Sequence, residues 1–128
     1  MRKEIRATGV NEPIGHYSDA VRFGNLLFIS GIGPLDEKRE IVGGSDCAAQ
    51  TRQVFANMAR VLALSGLEFR HVLKVTVFVT DARDYGKIDE VRREIFGPTR
   101  PASSAVGVKE LMLPGMKVEI EAVAGFEN

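Results

Sequence analysis

Val72-Leu-Lys-Val-Thr-Val-Phe-Val-Thr80 is the densest run of β-branched and aromatic residues in the chain. Such residues fit a pleated, half-buried surface, so the run reads as a strand. Alternation puts Leu73, Val75, Val77 and Val79 on one face and Lys74, Thr76, Phe78 and Thr80 on the other. On both sides of it the period changes. Upstream, Thr51, Val54, Phe55, Met58, Val61, Leu62 and Ser65 recur at helical spacing within residues 45–65, while Gln50, Arg52, Gln53, Asn57 and Arg60 face elsewhere. Ser45 or Asp46 suits the N-cap and Gly66 the left-handed stop. Downstream, Tyr85, Ile88, Val91 and Ile95 mark a second helix over residues 84–96, ended by Gly97-Pro98.

Further out the signals return to strands. Residues 3–7 pattern as a short first strand, and a loop broken by Pro13 runs from Gly9 to Gly15. Residues 19–23 and 26–30 are apolar-rich runs joined by Gly24-Asn25, the spacer of a tight hairpin. Two more runs, around 104–108 and 118–124, close the chain. The order ββ(β)αβαββ, with two helices and about six strands, predicts one α+β domain over residues 1–128. Two helices cover only one face of such a sheet. The other face, with Phe78 and Glu121-Ala-Val-Ala124, is too apolar to stay wet, which predicts oligomerisation through sheets.

Composition narrows the function classes. The chain is 45% hydrophobic and 27% charged, as soluble globular proteins are. Its 17 basic residues balance 17 acidic ones, and a neutral chain lacks the positive field that gathers nucleic acid or an anionic membrane. MRKEIRATGV has no apolar core of a secretory signal, and Cys47 has no disulfide partner. The expectation is a cytoplasmic protein with no nucleic-acid or membrane partner.

Five stretches then carry a family resemblance. Gly15-His-Tyr-Ser-Asp-Ala20 is similar to a G-P-Y-S-Q-A loop, and Asn25-Leu-Leu-Phe-Ile-Ser-Gly31 to an N-L-V-F-V-S-G strand. Gln50-Thr-Arg-Gln53 with Asn57 resembles a Q-T-x-x-x-x-x-N helix signature, and Lys74-Val-Thr-Val-Phe-Val-Thr-Asp81 a central strand. Residues 96–124 resemble a closing F-x…P-A-R-S…V-E-I-E-A segment. Together they resemble the Rid/YjgF family, also called L-PSP endoribonuclease-like, over nearly the whole chain. The resemblance implies a chorismate-mutase-like α+β fold, a homotrimer with a barrel-like core, and small-metabolite clefts between subunits. It implies hydrolysis of enamines and imines such as 2-aminoacrylate to keto acids and ammonia, with no metal or organic cofactor.

By the same resemblance Glu119 is the catalytic carboxylate, and Tyr17, Ser30, Gly31, Asp89, Ser103 and Ala105 line the cleft, with His16 and Ile32 as further candidates. The departures are chemical. P-A-R-S reads Pro101-Ala102-Ser103-Ser104 here, so serine stands where the family holds the substrate carboxylate with arginine. One neutral hydrogen bond in place of a bidentate guanidinium costs about 2–4 kcal/mol, roughly 30- to 1000-fold in affinity. Ala105, Ile32 and Asp89 replace the more usual cysteine, glutamine and asparagine. If Asp89 lines the cleft with Glu119, two carboxylates lack their usual cation, and the site should repel anionic keto acids and favour neutral or amine-bearing ligands.

Each candidate also has a plainer reading. Tyr17 serves as well as an interface aromatic, Glu119 or Glu121 as an interface ion-pair partner, and His16 as a solvated loop residue. His71 reads as a surface residue and Cys47 as an inert helix residue. Arg100 reaches the Ser103 side only past a bend near Pro101. Gly43-Gly44-Ser45 lacks the Lys-Ser/Thr of a phosphate loop, and Ser103 and Ser104 lack a nucleophile elbow. Three functions compete: a deaminase with altered or weak activity, a non-enzymatic metabolite-binding trimer, and, least supported by charge, a ribonuclease. If the rest of the cleft is competent, Ser103→Arg is expected to raise turnover of 2-aminoacrylate over the parent, read by semicarbazide competition.

Overall fold

The computed structural model describes residues 1–7 and 15–127. The loop expected over residues 9–15 lies almost wholly outside them. The elements are β1 (Lys3–Ile5), β2 (Ala20–Phe23), β3 (Leu26–Ile32), α1 (Cys47–Leu64), β4 (Val72–Val79), α2 (Tyr85–Phe96), β5 (Ala102–Gly107) and β6 (Val118–Gly125). Gly24 turns the β2–β3 hairpin at φ +61°. Asp46 caps α1, its carboxylate accepting from the backbone N–H groups of Ala48 and Ala49.

The strands form one mixed sheet in the order β1-β2-β3-β6-β4-β5. Only β4 and β5 run parallel, which is why a helix, α2, connects them. The last strand, β6, slots antiparallel between β3 and β4. Val118, Ile120, Ala122 and Ala124 of β6 are buried beneath the helices with Val75, Val77 and Val79 of β4 and Leu27 and Ile29 of β3. Phe55, Phe69 and Phe96 meet edge to face at 5.2–5.9 Å and tie the two helices together.

Three facing expectations need correction. Leu73 is exposed, because β4 carries an extra residue between Val72 and Lys74, and Val72 takes the buried place instead. Ala122 and Ala124 lie on the helix-covered face, so β6 offers Glu119, Glu121 and Val123 to the open one. That open face still carries apolar bulk, with Phe23, Leu26, Phe28 and Val106 exposed. Finally, Gln50 and Asn57 do not face solvent. Gln50 is fully buried, donating to the carbonyls of Gly44 and Gly115 at 2.7 and 3.0 Å and accepting from Lys117 N–H at 2.8 Å. Asn57 donates to the carbonyls of Gly33 and Leu35 and accepts from Gln53. Polar side chains are stable inside a domain when backbone partners saturate them, and here they fasten loops 33–35 and 113–117 to α1.

Gln50→Leu removes the three hydrogen bonds by which the buried amide holds Gly44, Gly115 and Lys117. It should lower unfolding stability by about 2–4 kcal/mol, read as a shifted denaturant midpoint at unchanged slope.

Candidate functional site

Glu119 lies on the open face at the point where β3 departs from regular pairing. Between Ile29 and Ile32 the strand advances three residues while β6, from Ala122 to Ile120, advances two. The extra residue is left without a ladder partner. Ser30 is pinned on the other side, its N–H donating to the Asp19 carbonyl at 2.9 Å and its hydroxyl to the Ser18 carbonyl at 2.6 Å. The Glu119 carboxylate packs over Gly31 so closely that a Cβ there would collide with it. Glycine is required at 31 for that approach and not for its backbone angles.

Tyr17, Ser30, Gly31, Ile32, Glu119 and Glu121 line one cavity of about 500 Å³. Burial and the neighbouring Glu121 charge push the Glu119 carboxyl above its ordinary range. Among the described residues no cation lies within ion-pair distance of either glutamate. A half-buried carboxyl biased toward its proton, next to an irregular backbone segment, is suited to shuttling a proton to and from a bound water.

Asp89 and Ser103 are elsewhere. Glu119 pairs with Phe78, and Phe78 with Val106. Ser103 sits farther down β5 on the opposite face, beside Val75. Two strand spacings, about 10 Å, and a further 10 Å or so along the strand therefore separate the two residues within one subunit. Asp89 and Ser103 line a second cavity, of about 410 Å³, together with Arg92, Arg93, Thr99 and Arg100. The expected pair of carboxylates without a cation does not form: Asp89 accepts from Arg92 at 3.0 Å and from Arg93 at 3.1 Å. Burial alone would raise Asp89, but hydrogen bonds and charge from the two arginines hold it below the usual carboxylate range. The signal was present in the sequence as Asp89 followed at i+3 and i+4 by Arg92 and Arg93, adjacent positions on a helix surface.

Ala105 is exposed on the edge strand and lines neither cavity, as is His16, next to the half-exposed Tyr17. Arg100 shares the Ser103 cavity because it precedes β5 and is not bound by strand alternation. His71, expected at the surface, is buried: its Nδ1 accepts from Glu68 N–H, closing a turn. Cys47 is buried, and burial followed by the Asp84 charge raises its thiol, consistent with an inert residue.

An α+β sheet with both helices on one face carries, on the other, a half-buried glutamate at a bulge beside a cavity of about 500 Å³. The endoribonuclease L-PSP family model matches residues 9–126. A RutC family protein of Pyrococcus horikoshii is 43% identical over 125 residues, covering 97% of this chain and 98% of that one. A 2-iminobutanoate/2-iminopropanoate deaminase of Dermatophagoides farinae is 38% identical, covering 91% and 90%. The crystal structure of a putative endoribonuclease from Thermotoga maritima superposes with a TM-score of 0.92 at 36% identity over the full length of both chains. The chain belongs to the Rid/YjgF family and has its chorismate-mutase-like fold.

Because Glu119 holds its proton more tightly folded than unfolded, its ionisation costs stability as pH rises above the ordinary carboxyl value of 4.5. Glu119→Gln should therefore melt higher than the parent at pH 8, with the gap closing as pH falls toward 4. A pH-independent gap in Tm would show that the carboxyl is not under this burden.

Proposed function

We propose that the protein hydrolyses small imines, or their enamine tautomers, to a carbonyl compound and ammonia in clefts that two subunits build together. The observation that carries the reading is the Glu119 carboxyl, proton-biased and set over Gly31 in an otherwise open cavity. In this scheme Glu119 accepts a proton from water as its oxygen bonds to the C=N carbon, and returns the proton to nitrogen. The carbinolamine hydroxyl proton then passes to nitrogen by way of Glu119 as the C–N bond breaks, leaving the C=O and ammonia. With the Ser30 N–H held by the Asp19 carbonyl, the Gly31 backbone at the bulge offers hydrogen bonds to the developing polar atoms. The deaminase name carried by a relative at 38% identity supports the same chemistry.

Subunit assembly supports it as well. Glu119 and Ser103 belong to different cavities of one chain, so a common site requires the first cavity of one subunit to face the second of its neighbour. The apolar open face supplies the surface for that assembly, and a homotrimer is the arrangement we propose. Serine at 103 alters the hold on the substrate relative to the family pattern.

The test is semicarbazide competition with 2-aminoacrylate and 2-aminocrotonate generated in situ. The parent should divert the imine to keto acid, Glu119→Gln should lose about 100-fold or more in rate, and Gly31→Ala, by displacing the carboxylate, about 10-fold or more. A parent that binds the keto acid without accelerating hydrolysis would replace the enzyme with a metabolite-binding protein.

A further inference from the structure

The geometry points to Arg92 of α2 as the residue that holds a ligand carboxylate, reaching from the helix to the position beside Ser103. This rests on the reading of a shared intersubunit cleft, and it reverses the expectation that the site repels anions.

Arg92 is unusual among the arginines of this chain. Its side chain is only 11% exposed, whereas Arg93, one position on, is 77% exposed. A guanidinium taken that far out of water needs fixed partners. Arg92 has three: it donates to Ser103 Oγ at 2.7 Å, to Tyr85 Oη at 2.6 Å and to Asp89 Oδ1 at 3.0 Å. Tyr85, Asp89 and Arg92 stack along one face of α2, separated by four and then three positions. Ser103 comes from the edge strand. Three side chains from two elements therefore fix one guanidinium in place before any ligand arrives.

The donor count leaves capacity for an anion. A guanidinium has five N–H donors, and these three contacts occupy three of them. Ser103 and Tyr85 each accept from Arg92, so each keeps its own hydroxyl proton to donate. The cavity around them carries Arg92, Arg93 and Arg100 against the single carboxylate of Asp89, an excess of two positive charges. A wall with spare N–H and O–H donors and net positive charge selects an oxyanion. Asp89, in contact with Arg92, disfavours a dianion more than a monoanion, so a carboxylate fits better than a phosphate.

Ser103 is thus the acceptor that aims a guanidinium supplied by the neighbouring helix. Adding a second guanidinium by Ser103→Arg removes that acceptor and sets two like charges together, so the gain expected for it from sequence is lost.

The test is calorimetric binding of 2-oxobutanoate, of its uncharged amide and of inorganic phosphate to the assembled protein, with turnover measured separately. Arg92→Gln should weaken 2-oxobutanoate binding about 30-fold or more, leave the amide within about twofold, and raise KM far more than it lowers kcat. Arg92→Lys keeps the charge without the fork and should recover part of the loss. If Arg92→Gln is unstable, Tyr85→Phe and Ser103→Ala together remove two of its supports and should weaken the same ligand selectively. Equal losses for acid and amide, or phosphate competing as strongly as 2-oxobutanoate, would overturn the assignment. A parent that turns over imines with a KM unmoved by Arg92→Gln would overturn it and leave the deaminase reading intact. A catalytically silent parent whose carboxylate binding depends on Arg92 would do the reverse.

Discussion

The last strand to be synthesised occupies the middle of the sheet, and nearly everything else depends on its double pairing. Without β6, the β1–β3 segment and the β4–α2–β5 unit share no ladder. Its alternation serves both faces: Val118, Ile120, Ala122 and Ala124 fill the core, while Glu119 and Glu121 project to the other side. The small alanines let α1 lie close to the sheet. The same pairing that completes the core therefore delivers the glutamate to Gly31. Core and site cannot be assembled independently, because one strand carries both in alternate positions.

Two one-residue irregularities adjust that plan. The bulge in β3 interrupts the register with β6 at Ser30–Gly31 beside Glu119, and the one in β4 moves Val72 inward and Leu73 outward. The first creates a cavity wall with polar backbone; the second adds Leu73 to the exposed apolar surface. Buried amides do for the loops what bulges do for the strands. Gln50 and Asn57 accept and donate until loops 33–35 and 113–117 have defined positions around the Glu119 cavity. The core is thus more polar than a plain apolar stripe suggests, and the polarity is spent on positioning.

Electrostatics divides the molecule in two. On the open face Glu119 and Glu121 line the cavity with no cation within ion-pair distance among the described residues, and burial followed by the Glu121 charge biases Glu119 toward its proton. At the far edge a surplus of arginine surrounds one aspartate. In the assembly proposed above, the cavity that holds Glu119 and the arginine-rich cavity are complementary in charge.

The sequence by itself determined both helices, the hairpin at Gly24-Asn25, the central strand and the α+β class, because period, caps and turn residues are local signals. Its motif resemblance named Glu119, Gly31 and Tyr17, which line one cavity, together with Asp89 and Ser103, which line another. Strand order was decided only by the tertiary structure, since alternation says which face a residue takes but not which strand lies beside it. A one-residue bulge leaves almost no trace in a pattern of period two, yet it exchanges the facing of Val72 and Leu73. The burial of Gln50 and Asn57 likewise depends on carbonyls from distant loops. The partners of Arg92 were half legible: Asp89 and Tyr85 lie at helical spacing, but Ser103 reaches it only because β5 packs parallel to β4 at the edge that α2 spans. Local chemistry fixed the elements, and long-range pairing fixed which charges meet.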